Sequence, residues 1–527
     1  MEKRFTTKER SWILYDWANS VYATNIMAAI FPTIFVAFAG DQGDLWWGYG
    51  TSLATLIIAI LAPILGSIAD YQGMKKKLFT VFMLLGVIAT ALIALTSDWR
   101  FMLVAYVISK IGFSGSNLFY DSFLTDVTTD ERMDKVSSWG YAMGYIGGST
   151  IPFVISIAVL MIMGYSSPFA QKFAILITSV WWLVFSIPFF KNVEQVHYIE
   201  KPEKISLKST FANVLNTMRD IAKSRGMLMF IIAYFFYIDG VGTVISISTA
   251  YGTALGLGAT GMILALLVTQ IVAMPSSILF AKLAKKISTR KAILIAIAVY
   301  MFICLVGFYM GFSLEPHQDA YRSAYKGQYD AIQTQANDLT FEDQDKAKIQ
   351  VLSFLSRAET ALRDKDTAVF EELAINTEGF SDKDAAQLQS LQTDAKASLT
   401  AFKAGQAEVI SRYQDAIRFS TMLFWGMAIL VGTMQGGIQA VSRSYFGKLI
   451  PKKRSNEFFG FFDIFGKFAT VIGPLLYAVV GTWTGRSSYG ALCLMLLFLV
   501  GFIVLIMAKK PLEELERNRA AQAALEG

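Results

Sequence analysis

The sequence predicts an all-α membrane protein: twelve transmembrane helices in two six-helix bundles, with a small helical insertion on the outer side between helices 9 and 10. Three observations carry that expectation. Of 527 residues, 54% are hydrophobic and 17% charged, whereas soluble domains carry about a quarter charged residues. The apolar residues gather into about a dozen runs of roughly 18 to 28 residues, each long enough to cross a ~30 Å hydrocarbon layer as a helix. Lysine and arginine, finally, crowd into alternate connections between those runs.

The runs fall at 17–39, 45–69, 78–95, 101–124, 136–163 and 173–190, then at 227–251, 262–281, 292–312, 419–441, 458–482 and 489–508. The first is too long for a signal peptide and has no small-x-small cleavage site, so it reads as a retained helix. The chain divides into a first bundle (1–190), a linker (191–226), helices 7–9 (227–312), an insertion (313–418), helices 10–12 (419–508) and a tail (509–527). The termini and one set of alternate connections hold 30 Lys and Arg; the opposite set, the insertion aside, holds Arg100, Lys172 and Arg486. By the positive-inside rule both termini face the cytoplasm, as expected of a bacterial inner-membrane protein. This sidedness accounts for the net charge of +6 without nucleic acid.

The insertion carries 12 basic and 18 acidic residues. Ile349, Leu352, Leu355 and Leu362, then Leu388, Leu391, Leu399, Phe402, Val409, Tyr413 and Ile417, recur at helical spacing. Thr340-Phe-Glu-Asp343 and Ser381-Asp-Lys-Asp384 resemble helix starts. A helical cap follows, its last helix running into helix 10. It reads first as a solvated spacer and second as a domain that docks a protein partner or captures substrate.

The two halves repeat. Gly66-Ser-Ile-Ala-Asp70-Tyr-Gln-Gly73-Met-Lys-Lys-Lys77 aligns without gaps over eleven positions with the stretch from Ala281 to Lys291, at an offset of 215. Paired bundles about an axis normal to the membrane enclose the site of many secondary transporters. Gly66-x-x-x-Asp70-x-x-Gly73-x-Lys75-Lys76 resembles the signature loop of the major facilitator superfamily, in which the Asp and basic residues lock the bundles at the cytoplasmic gate. That resemblance implies gating roles for Asp70, Gly73, Lys75 and Lys76. The second copy has Lys285 where the Asp belongs, which implies asymmetric gating. Leu14-Tyr-Asp16-Trp-Ala-Asn19-Ser20, Gly144-Tyr-Ile-Gly147-Gly148, Tyr237-Ile-Asp239-Gly240, Ser442-Arg443-Ser444 and Glu457-Phe-Phe-Gly460 together resemble the vacuole-effluxer-like branch, whose fungal members are autophagy-linked amino-acid exporters. Arg443 joins the gating set on that basis. The insertion lies outside the branch's pattern.

Ionisable groups within a bilayer cost roughly 2.5 to 3.5 kcal/mol at its centre and are functional candidates by default. Asp239 lies 13 residues past Gly226, ~20 Å along a helix, so a proton-carrying role, a static ion pair and a protonated, hydrogen-bonded carboxyl are all open. Lys110 would balance Asp239, receive a substrate carboxylate or snorkel outward. Asp463 and Lys467, four residues apart, read as a structural ion pair. Asp16, one turn inside helix 1, suits capping, gating or binding. Asn19, Asn25, Asn117, Tyr120, Gln270, Gln435 and Gln439 are polar groups that orient a small solute or join helices; Asn25 and Gln435 lie deepest. Gly140, Gly144 and Gly148 make a smooth strip suited to close packing or to sliding.

No phosphate-binding Gly-x-x-x-x-Gly-Lys-Ser/Thr loop and no His-Glu-x-x-His is present, and Cys304 and Cys493 both lie in apolar runs. No enzyme activity, cofactor or metal is expected. The reading is a monomeric secondary transporter that moves a small polar solute, an amino acid or similar zwitterion, by alternating access with proton coupling through Asp239. Its rivals are a membrane receptor or assembly factor using the outer cap, and a transporter of sugar or peptidoglycan fragments.

Overall fold

The structure, a computed structural model, describes residues 4–40, 43–164, 167–200, 207–257, 259–364 and 373–526. The side chains at 467–471 lie outside that description, and the predicted Asp463–Lys467 pair lies outside it with them. Among the described residues the structure is helical, apart from an isolated bridge between Tyr71 and Ile199.

The first bundle comprises α1 (Thr7–Ala39), α2 (Gly43–Ala69), α3 (Met74–Ile93), α4 (Trp99–Ser122), α5 (Asp130–Met163) and α6 (Pro168–Asn192). A linker helix, α7 (Leu207–Lys223), leads to α8 (Arg225–Ala254), α9 (Ala259–Ile287) and α10 (Thr289–Asn337). After α11 (Gln344–Asp364) and α12 (Asp382–Gly405) come α13 (Ala407–Leu449), α14 (Ser455–Thr484), α15 (Ser487–Met507) and the tail helix α16 (Lys509–Glu526). Eleven of the described helices are long and apolar enough to cross a membrane; α14, where the predicted run 458–482 falls, has a shorter apolar portion at Ile472–Thr484.

Local chemistry starts these helices where they begin. Thr6 and Glu9 form a reciprocal capping box on α1, with Glu9 Oε2 accepting from the Thr6 N–H at 2.8 Å. Ser167 caps α6 ahead of Pro168, whose missing N–H costs nothing in a first turn. Two helices widen mid-course: α1 is π-helical over Tyr22–Ala29 and α5 over Gly144–Thr150. Such segments free backbone carbonyls and recur at functional sites. The strip Gly140, Gly144 and Gly148 lies against Asp16, Trp17 and Ser20 of α1, where a Cβ on Gly148 would stand 2.4 Å from Ser20 Cβ.

The bundles meet where α5 packs on α9 and α13 and where α2 packs on α14. The end carrying both termini is called the termini face, the opposite end the insertion face. Near the termini face Tyr15, Phe79, Tyr120 and Phe189 make an aromatic core in the first bundle, and Phe230, Tyr234, Phe446 and Phe462 make its counterpart in the second.

The segment 313–418 does not begin or end at a helix boundary. Helix α10 runs unbroken for 49 residues, through residue 312, and α13 for 43, through residue 418. Glu315 is buried at the level where α10 leaves the bundle, accepting from the Ser488 N–H (2.9 Å) and Oγ (2.6 Å) at the start of α15. The extensions of α10 and α13 pack with α11 and α12 around Tyr321, Phe354, Leu388, Leu391, Leu399, Phe402 and Tyr413. Two details depart from the sequence pattern. Ile349 and Leu352 are 68% and 57% exposed, and the expected Leu355 is joined on the buried stripe of α11 by Val351 and Phe354 instead. Asp343, rather than Thr340, accepts the first-turn N–H, from Lys346 at 3.2 Å, because it stands one residue before Gln344, in the capping position.

Candidate functional site

Arg443 of α13 stands at the centre of the bundle interface, 4% exposed. Its Nη1 donates to Asp121 of α4 at 2.8 Å, its Nη2 to Asp16 of α1 at 3.2 Å, and its Nε to Ser137 Oγ of α5 at 2.9 Å. Ser137 Oγ in turn donates to the Ala440 carbonyl. The guanidinium plane lies over Trp12 and Tyr141, 4.7 and 4.5 Å from their ring centroids, with Tyr120 at 5.5 Å. A planar fork that stacks on aromatic faces while bonding two carboxylates is an arginine function; lysine has neither the plane nor the donors. The cation comes from the second bundle and both carboxylates from the first. Gly140 lets them meet, since a Cβ there would lie 2.3 Å from Asp16 Oδ2.

A second latch uses the loop after α2. Asp70 accepts from the Asn456 N–H (2.9 Å), Asn456 Nδ2 (2.8 Å) and the Glu457 N–H (3.1 Å), so the first bundle caps the opening turn of α14 in the second. Burial pushes the Asp70 carboxyl up to about 7, while Lys75 and these donors pull it down. Lys75 is fully buried and donates to Asp126 Oδ2 at 2.6 Å and to Ser455 Oγ at 3.0 Å. Asp126 also accepts from the Val196 and His197 N–H groups. Gly66 admits the close approach, for a Cβ there would fall 2.5 Å from the Asn456 carbonyl oxygen. Gly73 holds a left-handed turn at φ +70° that starts α3. The Lys76 ammonium enters neither latch among the described residues.

Asp134 of α5 makes a third link, accepting from Ser444 Oγ (2.5 Å), Lys448 Nζ (2.7 Å) and Thr289 Oγ1 (2.9 Å). All three links lie toward the termini face. The repeated loop shows its kinship in the backbone: offset by 215 from Gly73 stands Ser288, at φ +95°, and no other described non-glycine residue has a positive φ.

Deeper toward the insertion face, the predicted polar residues separate. Asn25, in the π-helical stretch of α1, donates to Ser156 and Thr178 at 3.1 Å each, and its Oδ1 is buried without a partner. Asn19 donates to Asn117 at 2.7 Å. Lys110 donates to the Thr51 carbonyl at 3.2 Å within the first bundle. Asp239, fully buried in α8, accepts from Thr243 Oγ1 and from the Gly473 N–H of α14, and its Oδ2 has no partner. Lys110 and Asp239 are thus held by separate bundles and are not brought together here. Gln435 is buried and lines an apolar cavity of about 100 Å³ with Gln270, Thr269, Cys304 and Phe424; Gln439, one turn on, is half-buried. Tyr120 stacks on Trp12 beside Arg443, with centroids 4.5 Å apart.

Asp121, Asp126, Asp134, Ser137, Lys448 and Asn456 are among the site residues that sequence reading missed. An available signal was the acids at helix ends on the most basic face, where a buried carboxylate requires a cation from elsewhere.

The chain matches the family model described as "Vacuole effluxer Atg22 like" over residues 46–132, 125–318 and 420–514. It is 37% identical over 518 residues to the uncharacterized MFS-type transporter YxiO of Bacillus subtilis, covering 96% of this chain and 95% of that one. It is 24% identical over 296 residues to autophagy-related protein 22 of Coccidioides immitis, 44% of this chain and 48% of that one. Its fold resembles the crystal structure of a bacterial homologue of the iron transporter ferroportin in an outward-facing state, with a TM-score of 0.56, 11% identity, and 96% and 98% of the two chains covered. The family match breaks off at 318 and resumes at 420, where α10 and α13 have left the bundle. By its family match, its full-length relative and its paired helical bundles, this chain belongs to the vacuole effluxer Atg22-like family of MFS-type transporters and is a multi-pass integral membrane protein.

Proposed function

We propose that the protein moves an amino acid or similar small zwitterion across a bacterial inner membrane by alternating access, as a monomer with its termini in the cytoplasm. The observation that carries this reading is Arg443. One buried cation from the second bundle holds two carboxylates of the first, the buried Asp16 and the half-buried Asp121. A buried pair of this kind is costly to break from one side alone, so it suits a switch with two discrete states. The three links at the termini face make this the conformation closed on that side.

Two groups support a polar substrate and proton coupling. Asn25 Oδ1 and Asp239 Oδ2 are buried without partners, and buried polar atoms left unpaired ask for a ligand, a proton or water. The apolar cavity beside Gln435 suits an amino acid's side chain. Asp239 carries the proton in this reading. Asp239→Asn then abolishes accumulation driven by a pH gradient in proteoliposomes while exchange of labelled amino acid continues. Undiminished accumulation by that variant removes Asp239 from the mechanism, and no uptake of any amino acid by the wild type removes the substrate class.

A further inference from the structure

At the termini face a cavity of about 1250 Å³ opens between the bundles, bounded by the start of α5 on one side and by the α9–α10 loop, α13 and α16 on the other. It shares no residue with the Arg443 box or the Asp70 latch. Its lining is cationic: Lys135 of α5, Lys282, Lys285, Arg290 and Lys291 of α9 and α10, and Lys509 of α16. Asp134 on its wall is already neutralised by Lys448. Glu131, Glu513 and Glu516 also line it, leaving the cations in excess. Among the described residues Lys282, Lys285, Lys291 and Lys509 enter no ion pair. Like charges gathered around one cavity repel, and a low-dielectric wall focuses their field on an incoming anion.

The repeat explains why the gap is there. In the first half, Asp70 supplies the accepting carboxyl that joins the loop after α2 to the first turn of α14. In the second half, the loop offers Lys285 at the equivalent place, and the N-cap of α5, Thr129, makes no side-chain cap bond. The second latch therefore has cations on one side and an N-cap without a side-chain bond on the other; the first-bundle acids at this wall, Glu131 and the Lys448-paired Asp134, leave the loop's cations in excess.

We propose that this cavity binds a phosphate-bearing anion, which completes the second latch and favours the conformation closed at the termini face. Phe5, Trp139 and Tyr445 on the wall and Lys509 just past the end of α15 put it at the depth of lipid headgroups; an anionic phospholipid headgroup and a soluble phosphate share the chemistry.

The full chain, purified and spin-labelled on α5 and α9 at the termini face, is placed in phosphatidylcholine vesicles, in the same vesicles with phosphatidylglycerol, and in phosphatidylcholine with inorganic pyrophosphate. Phosphatidylglycerol or pyrophosphate should raise the closed fraction several-fold and lift Tm by a few degrees. A response to the lipid alone assigns the headgroup; a response to both admits the soluble anion. The exposed triple variant Lys282→Gln, Lys285→Gln, Lys291→Gln should lose the response, and the corresponding triple arginine variant should keep it. The proposal fails if neither anion shifts the population, or if the glutamine variant responds as the wild type does. Neither readout involves transport, so a failure of the substrate assignment leaves this test intact.

Discussion

Arg443 gives the residue scale its sharpest consequence. Truncation to alanine leaves Asp16 buried and Asp121 half-buried without their cation, a loss of about 3–5 kcal/mol for the broken buried Asp16 pair. Arg443→Ala should lower Tm and, in a variant carrying a cysteine introduced at the termini face, expose that cysteine to a membrane-impermeant thiol reagent. Arg443→Lys should rescue little of this, because an ammonium cannot bond both carboxylates and stack on Trp12 and Tyr141 together. Asp70 adds a pH dependence. Its carboxyl sits near 7 in the latch and near the aqueous value of about 3.9 once the latch opens, so the closed form takes up a proton that the open form releases. That contribution is complete below about pH 4, weakens as pH rises and is gone above about 7. The ratio of closed to open should rise about tenfold between pH 8 and pH 6; Asp70→Asn, facing the same Lys75 and Glu457, should flatten the response. Spin-label distances across the latch read both.

At the scale of elements, the repeated loop is solved twice with different residues. Gly73 sits at φ +70°, ψ 0°, a conformation open to glycine at no cost, so Gly73→Ala should destabilise by about 1 kcal/mol. Ser288 sits at φ +95°, ψ 149°, a region that is essentially glycine-only and costs other residues about 1–3 kcal/mol. Its side chain returns a little of that by accepting from the Lys291 N–H. Ser288→Gly should therefore raise Tm, a change that thermal unfolding in detergent measures directly. The repeat at offset 215 was legible from the aligned residues; that the serine bears a glycine's backbone was not, because φ is set by how α9 and α10 are held apart by the rest of the bundle. The two π-helical stretches were equally hidden. They arise where α1 and α5 press together, and no residue pattern marks them.

On the scale of the whole molecule, the insertion is continuous with the bundle through α10 and α13, yet the family match omits it. If transport belongs to the bundles, deletion of 316–415 with a short helical-hairpin loop should leave proteoliposome uptake within about twofold of wild type; loss of a cellular phenotype with uptake intact would point to a partner of the cap. The sequence by itself determined the membrane-spanning class, the paired halves, the charge asymmetry and the signature loop, because hydropathy, charge count and short motifs are local and the bilayer imposes helices wherever an apolar run is long enough. Only the tertiary structure decided which charges meet. Arg443 and Asp121 lie 322 positions apart in the chain, and Asp70 and Asn456 lie 386 apart. A contact across two bundles depends on how they lean on each other, which no local pattern encodes.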